Sequence, residues 1–201
     1  MHWPRIIFLS LLALFLGAFL HYTLPQRDIV RVTDTEIIRT DFSGLNRIFY
    51  AQGDSGGANP DSRDLRLINT IAPNGDVRVY RNEDTGFGWP PYFKLDSADL
   101  QAEAASLSSA ADNPTWVAVT HYGWRSRLLT TYPNAVGMEQ VDGPDTALFP
   151  WLNIVILLAM ALILFMAWRI WERFEDRVLV PIADRSAVRW AKLKDWAAGR
   201  G

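Results

Sequence analysis

The chain has 201 residues, 49% of them hydrophobic, with 20 Lys and Arg against 22 Asp and Glu for a formal charge of −2. Averages of that kind suit a globular protein, yet residues 25–147 carry 11 Lys and Arg against 17 Asp and Glu, which excludes the basic footprint that nucleic-acid binding needs. The absence of cysteine excludes disulfides and thiol chemistry.

The first element is apolar. Ile6 to Leu20 holds no charged residue, and Trp3, His21, Tyr22 and Leu24 extend the run, so residues 3–24 are read as a transmembrane helix. A cleaved signal peptide would need small residues at alternating positions after the apolar core. The run ends GAFLHYTLPQ, with Phe19, Leu20 and His21 in those places, and is therefore read as a retained anchor. Ala13 and Gly17 fall on one helix face and allow close contact with a second helix, including one from another copy of the chain.

Residues 25–147 are read as one small β-rich domain with a single helix. DIVRVTDTEIIRT (28–40) alternates apolar and polar residues and is rich in β-branched types, which predicts a strand with one buried face. GDSGGANPDSRD (53–64) is a polar loop. LRLINTIAPNGDVRVYRNED predicts two strands around Asn74-Gly75, a pair suited to positive φ in a tight hairpin. TGFGWPPYFKLD (85–96) is a rigid aromatic connection, followed by a helix over about 97–107 that Asp96 or Ser97 can cap. WVAVTHYGW, RLLTTYP and AVGMEQV read as three further strands. The order of elements fits a Greek-key barrel of the oligonucleotide- and oligosaccharide-binding type, in which a helix joins the third and fourth strands; a general α+β meander fits the same string.

Leu148 to Trp168 is a second charge-free run, of 21 residues, long enough for about 31 Å of helix across a hydrocarbon core of about 30 Å. Residues 148–168 are read as a second transmembrane helix. Arg169, Arg173, Arg177 and Arg185 follow it, which predicts a cytoplasmic C-terminus; with two spans, the N-terminus is cytoplasmic and the central domain extracytoplasmic. Arg27, Arg31 and Arg39 beyond the first span vote the other way, diluted by Asp28, Asp34 and Glu36. The tail, 169–201, holds 8 Lys and Arg against 5 Asp and Glu. Over 184–198 it places Ala187, Trp190, Leu193 and Ala197 beside Arg185, Arg189 and Lys192, a pattern that suits either a helix on an anionic membrane surface or a solvated basic tail.

Candidate chemistry is sparse. Gly53-Asp54-Ser55-Gly56-Gly57 repeats the run around the nucleophile of trypsin-like serine proteases, but the histidines before it, His2 and His21, belong to the first span, and no triad is assembled. Asp54, Asn59, Asp61 and Asp64 offer oxygen ligands without the spacing of a calcium loop. His121 is expected to be a packed residue with one hydrogen bond, and a single histidine in the domain speaks against zinc. Phe87, Trp89, Tyr92, Phe93, Trp116, Tyr122, Trp124 and Tyr132 are expected to supply mostly core. The candidate binding residues are Trp89, Tyr92, Phe93, His121, Tyr122, Trp124 and Arg125, which could line a groove for a peptide or protein. Neither a cofactor nor a metal is expected.

DIVRVTDTEIIR (28–39), YRNEDTGFGWPPYFKLDSADLQAEA (80–104) and THYGWRSRLLTTYPNAVGMEQV (120–141) resemble an uncharacterised two-span membrane family of proteobacteria, found mainly in alphaproteobacteria and known only as a domain of unknown function. The resemblance implies a bacterial inner-membrane location and brings no activity or ligand. The expectation is a non-enzymatic, membrane-tethered binding or scaffolding module of the envelope. The alternatives are an accessory subunit acting through its transmembrane helices and, more remotely, a hydrolase or calcium-binding protein using the 53–64 loop.

Overall fold

The computed structural model describes residues 3–41 and 62–181, and in the tail 186, 188–190, 192 and 194. The loop carrying Ser55, Asp54, Asn59 and Asp61 lies outside the described residues, as do Arg185, Ala187, Leu193 and Ala197. The chain divides into two units, Met1–Pro150 and Trp151–Gly201.

The first unit opens with helix α1 (Trp3–Thr23), charge-free from Ile6 to Leu20 and with no buried residue. Ala13 and Gly17 both lie exposed on it. Five strands follow, β1 (Gln26–Asp41), β2 (Ser62–Ile71), β3 (Val77–Arg81), β4 (Trp116–Tyr122) and β5 (Asn134–Val141), with helix α2 (Ser97–Ser106) between β3 and β4. They close into a barrel in the order β1-β2-β3-β5-β4. All pairings are antiparallel except β3 with β5, which run parallel and meet at Arg81 and Asn134. The five-strand closed order and the position of α2 match the Greek-key arrangement expected from the sequence of elements.

The barrel forms because its strands alternate. Val30 and Val32 on β1, Ile68 on β2, Tyr80 on β3, Val117 and Val119 on β4 and Ala135 on β5 are buried together. Leu100 and Ala104, four apart on one face of α2, join the same core. Asp96 occupies the N-cap position of α2 but makes no side-chain capping bond; the Ser97 N–H instead donates to Asp84 Oδ1 at 2.8 Å. Of the expected Asn74-Gly75 pair, Gly75 has positive φ (86°) and Asn74 does not. The turn is wider than a two-residue hairpin: the Gly75 N–H donates to Ala72 O and the Ala72 N–H to Asp76 O, both at 2.9 Å.

Two expectations need correction. RLLTTYP forms no strand; within it and its approach the pairing is a single bridge between Ser126 and Thr131. The aromatic connection does not feed the core either, because Phe87, Trp89 and Phe93 are exposed, while the buried aromatics among the described residues are Tyr80 and Tyr122. Gly86, Gly88, Pro90 and Pro91 prevent a regular strand or helix that could carry those rings inward.

Beyond Arg31, β1 pairs with β2 alone among the described residues, and β2 before Leu67 pairs with β1 alone. The two strands therefore continue as a ribbon. Leu65 and Leu67 hold it to the barrel by packing with Ile38, Val79 and Tyr132, and Ile37 faces solvent.

The second unit is helix α3 (Trp151–Phe174), again with no buried residue, leading into a π turn over Glu175–Leu179. The helical stretches Trp3–Thr23 and Trp151–Leu179 are both long and apolar enough to cross a membrane.

Candidate functional site

An α-helix leaves its last four carbonyls without helical partners. In α1 the barrel supplies partners for three of them, the carbonyls of His21, Tyr22 and Thr23. The Leu24 N–H closes the last helical bond, to Leu20 O at 2.8 Å, and the Gly123 N–H donates to Tyr22 O at 2.9 Å. Gln26 Nε2 donates to His21 O at 2.9 Å, and the Tyr92 hydroxyl to Thr23 O at 2.6 Å. Gly123 suits that place because its φ is +93°, a left-handed conformation that other residues adopt only with strain.

Aromatic rings complete the junction. Tyr92 stacks on Tyr122 with centroids 5.0 Å apart. Tyr22 of α1 meets Tyr122 edge-on at 6.2 Å and Trp124 at 5.4 Å. Trp124 Nε1 donates to His21 Nδ1 at 2.9 Å, and Trp89 stacks on Phe19. Burial, reinforced by Tyr122, pushes the Tyr92 hydroxyl well above its ordinary pKa, so it remains a donor to Thr23.

The structure thus brings four of the seven candidate residues, Trp89, Tyr92, Tyr122 and Trp124, against the chain's own first helix. The other three go elsewhere. Phe93 points outward against Phe87. Arg125 braces the β4–β5 loop, donating to Thr131 O at 2.8 Å and lying over the Tyr132 ring. His121 belongs to the opposite face of β4, inside the barrel.

There His121 is part of a partly buried polar cluster that alternation alone did not single out. Asp28 shares the inward parity of Val30 and Val32. Its Oδ2 lies 2.9 Å from His121 Nε2 and accepts from the Tyr80 hydroxyl at 2.7 Å; its Oδ1 accepts from Arg78 Nη1 at 2.5 Å. Burial alone would raise the Asp28 pKa, but hydrogen bonds from His121, Arg78 and Tyr80 hold its carboxyl well below the usual carboxylate range. An ionised carboxylate only accepts, so Nε2 of His121 carries the hydrogen. His121 Nδ1 is buried with no hydrogen-bond partner among the described residues. A general base needs access to a substrate proton, and this nitrogen faces protein.

A second buried network surrounds Lys94. Its Nζ donates to Asn82 Oδ1 and, at 2.7 Å, to Ala135 O. Asn82 in turn donates to Ser97 O and Gln101 Oε1, which fastens α2 to the barrel. Burial pulls the Lys94 pKa down to about 8. Between that value and the unfolded value of about 10.4, the unfolded chain binds the extra proton, so stability is expected to rise with pH across this window. The slope is at most about 1.4 kcal/mol per pH unit. Urea unfolding of the detergent-solubilised protein at pH 7.5, 8.5 and 9.5 checks this, and Lys94→Met is expected to remove the rise.

Among the described residues no group of three or more His, Cys, Asp or Glu is placed to hold a metal ion. A cavity of about 420 Å³ is lined by Pro114, Thr115, Trp116, Gln140, Val141 and Asp142.

Comparison with known proteins agrees with the resemblance in kind. A family model described as a protein of unknown function (DUF1523) matches residues 1–175, which takes in α1, the barrel and α3. An uncharacterised protein of Haemophilus influenzae is 38% identical over 149 residues, covering 72% of this chain and 80% of that protein. No solved structure matches the chain. The helix, the barrel locked to its end and the second apolar helix all fall within the matched region, and the chain belongs to the DUF1523 family.

Proposed function

We propose that this chain is a non-enzymatic module of the bacterial envelope, anchored in the inner membrane by α1 and α3, that holds its barrel rigidly at the extracytoplasmic surface and offers the β1–β2 ribbon to an envelope protein or peptide. The observation that carries this reading is the capping of three terminal carbonyls of α1, those of His21, Tyr22 and Thr23, by groups of the barrel. A flexible tether would leave those groups to water; here the barrel replaces water and fixes its own orientation on the helix.

The ribbon supports the binding half of the reading. β1 starts three residues after α1 ends and continues for 16 residues, a contour of roughly 50 Å at strand spacing. Its edge opposite β2, where no strand pairs beyond Arg31 among the described residues, and exposed Ile37 suit a partner that adds a strand, with main-chain hydrogen bonds giving affinity and side-chain pockets specificity. The arginines beyond the charge-free run Leu148–Trp168 support cytoplasmic termini.

A photo-crosslinking amino acid at Ile37, in intact cells, tests the assignment. The expected result is a discrete protein adduct from Ile37 and none from Asn74, at the tip of the β2–β3 turn. If Ile37 yields no adduct, while a chain lacking residues 28–145 still retains its partners, the accessory-subunit reading through the helices replaces this one. Alkaline phosphatase fused after residue 60 is expected to be active, and green fluorescent protein at the C-terminus to fluoresce; an inactive phosphatase would reverse the orientation.

A further inference from the structure

We propose that the barrel is seated on the lipid bilayer itself, with the connection from β3 to α2 and the loop from β4 to β5 inserting apolar side chains into the interfacial layer around the end of α1. The proposal rests on reading α1 as a membrane span and adds a second lipid contact to it.

Depth is set by Trp89. Its ring stacks on Phe19 with centroids 5.5 Å apart and planes 16° apart, and Phe19 lies within the charge-free run Ile6–Leu20. Phe19 precedes Thr23 by one helical turn, about 6 Å along the axis. A helix spanning with Phe19 in the hydrocarbon margin places Trp89 at the headgroup boundary, the level that tryptophan favours. The barrel therefore reaches below the end of its own anchor.

The exposed side chains of these two loops are the wrong ones for water. Trp89 is 65% exposed, Phe93 59% and Phe87 88%, and Leu128 at the tip of the β4–β5 loop is 98% exposed. Phe87 and Phe93 meet edge-on at 5.9 Å and form one projection. Phe93 and Thr130 have φ of 52° and 48°, and they are the non-glycine residues with positive φ among those described. Each lies in one of these two loops, and such a backbone state costs on the order of 1 kcal/mol or more. Exposure and strain are both unfavourable in water; burying Phe87, Phe93 and Leu128 in acyl chains offsets them. Exposed Arg127 stands beside Leu128, placed to reach lipid phosphates while its neighbour inserts. Continuity with the α1 span is what selects a bilayer over a protein as the occupant of this surface.

The cysteine-free chain allows spin labels at single introduced cysteines. Leu12→Cys, Ile37→Cys, Phe87→Cys and Leu128→Cys are made in the full chain and reconstituted in vesicles of phosphatidylethanolamine and phosphatidylglycerol. All four positions are exposed in the fold, so none removes core packing. Labels at Leu12, Phe87 and Leu128 are expected to collide severalfold more with oxygen than with an aqueous nickel chelate, and the label at Ile37 to show the reverse. A water-like label at Phe87 or at Leu128, with Leu12 still in the bilayer, overturns the seat and leaves the anchor standing. A water-like label at Leu12 overturns both.

Discussion

Tyr122→Ala is expected to destabilise the barrel by about 3–5 kcal/mol, the range for deleting a large buried aromatic side chain. Tyr122 is buried at the end of β4, stacks on Tyr92, and meets Tyr22 of α1 edge-on. Its hydroxyl accepts from Asn134 Nδ2 at 3.1 Å. Truncation therefore opens a void between the barrel and the helix, and frees Tyr92 to leave Thr23 O. The conservative Tyr122→Phe keeps the ring and removes a single hydrogen bond, worth about 1 kcal/mol. Two measurements read the difference. Urea unfolding in detergent gives the loss of stability, and limited trypsin digestion gives the state of the junction. Arg27, half-buried and paired with Glu139 at 2.8 Å, is the first arginine after α1. Cleavage after Arg27 is expected to accelerate in Tyr122→Ala and to remain slow in Tyr122→Phe. A loss below about 1 kcal/mol in the alanine variant would show that the collar is not what locks barrel to helix.

How much of this was legible before the structure depends on the range of the signal. The extents of α1, β1 and α2 followed from local periodicity and composition, and the Gly75 turn from backbone chemistry. The order of elements fitted a closed barrel with α2 between β3 and β4, and fitted a meander equally well; closure was visible only in the structure. RLLTTYP was misread because its Leu and Thr residues look strand-like, whereas the loop is held by one bridge and by the Arg125 side chain. Composition alone counted Phe87, Trp89 and Phe93 toward the core; the glycines and prolines between them were the available warning.

The polar clusters were hidden for a different reason. Asp28 could have been flagged from its place in the Asp28–Val30–Val32 parity, but its partners could not. Tyr80 lies 52 positions away and His121 lies 93 away, and only closure of the barrel brings them to one carboxylate. The capping of α1 was equally invisible, because Gln26, Tyr92 and Gly123 carry no shared local pattern. Tyr92 and Tyr122 were singled out as groove residues for an external ligand; the same aromatic surface serves the chain's own helix.

Asp28→Ala is expected to be the second severe substitution, at about 2–4 kcal/mol. Three donors converge on this side chain, from Tyr80, His121 and Arg78, and removing an acceptor leaves donors desolvated without a partner. The figure sits below that for a fully buried ion pair because Asp28 and Arg78 retain 26% and 41% side-chain exposure, which lets water rescue part of the loss. Tyr80→Phe, which removes one of the three bonds, is expected to cost about 1 kcal/mol. The pH dependence separates this electrostatic role from simple packing. Because the folded-state pKa of Asp28 is depressed, its contribution is complete above the unfolded carboxylate value of about 4. It is then lost as pH falls toward the lower folded value. Wild-type stability is therefore expected to drop faster than that of Asp28→Ala below pH 4, so that the gap between the two proteins narrows in acid. Urea unfolding at pH 7, 4 and 3 measures that gap, and a difference that stays constant across the series would assign Asp28 a packing role.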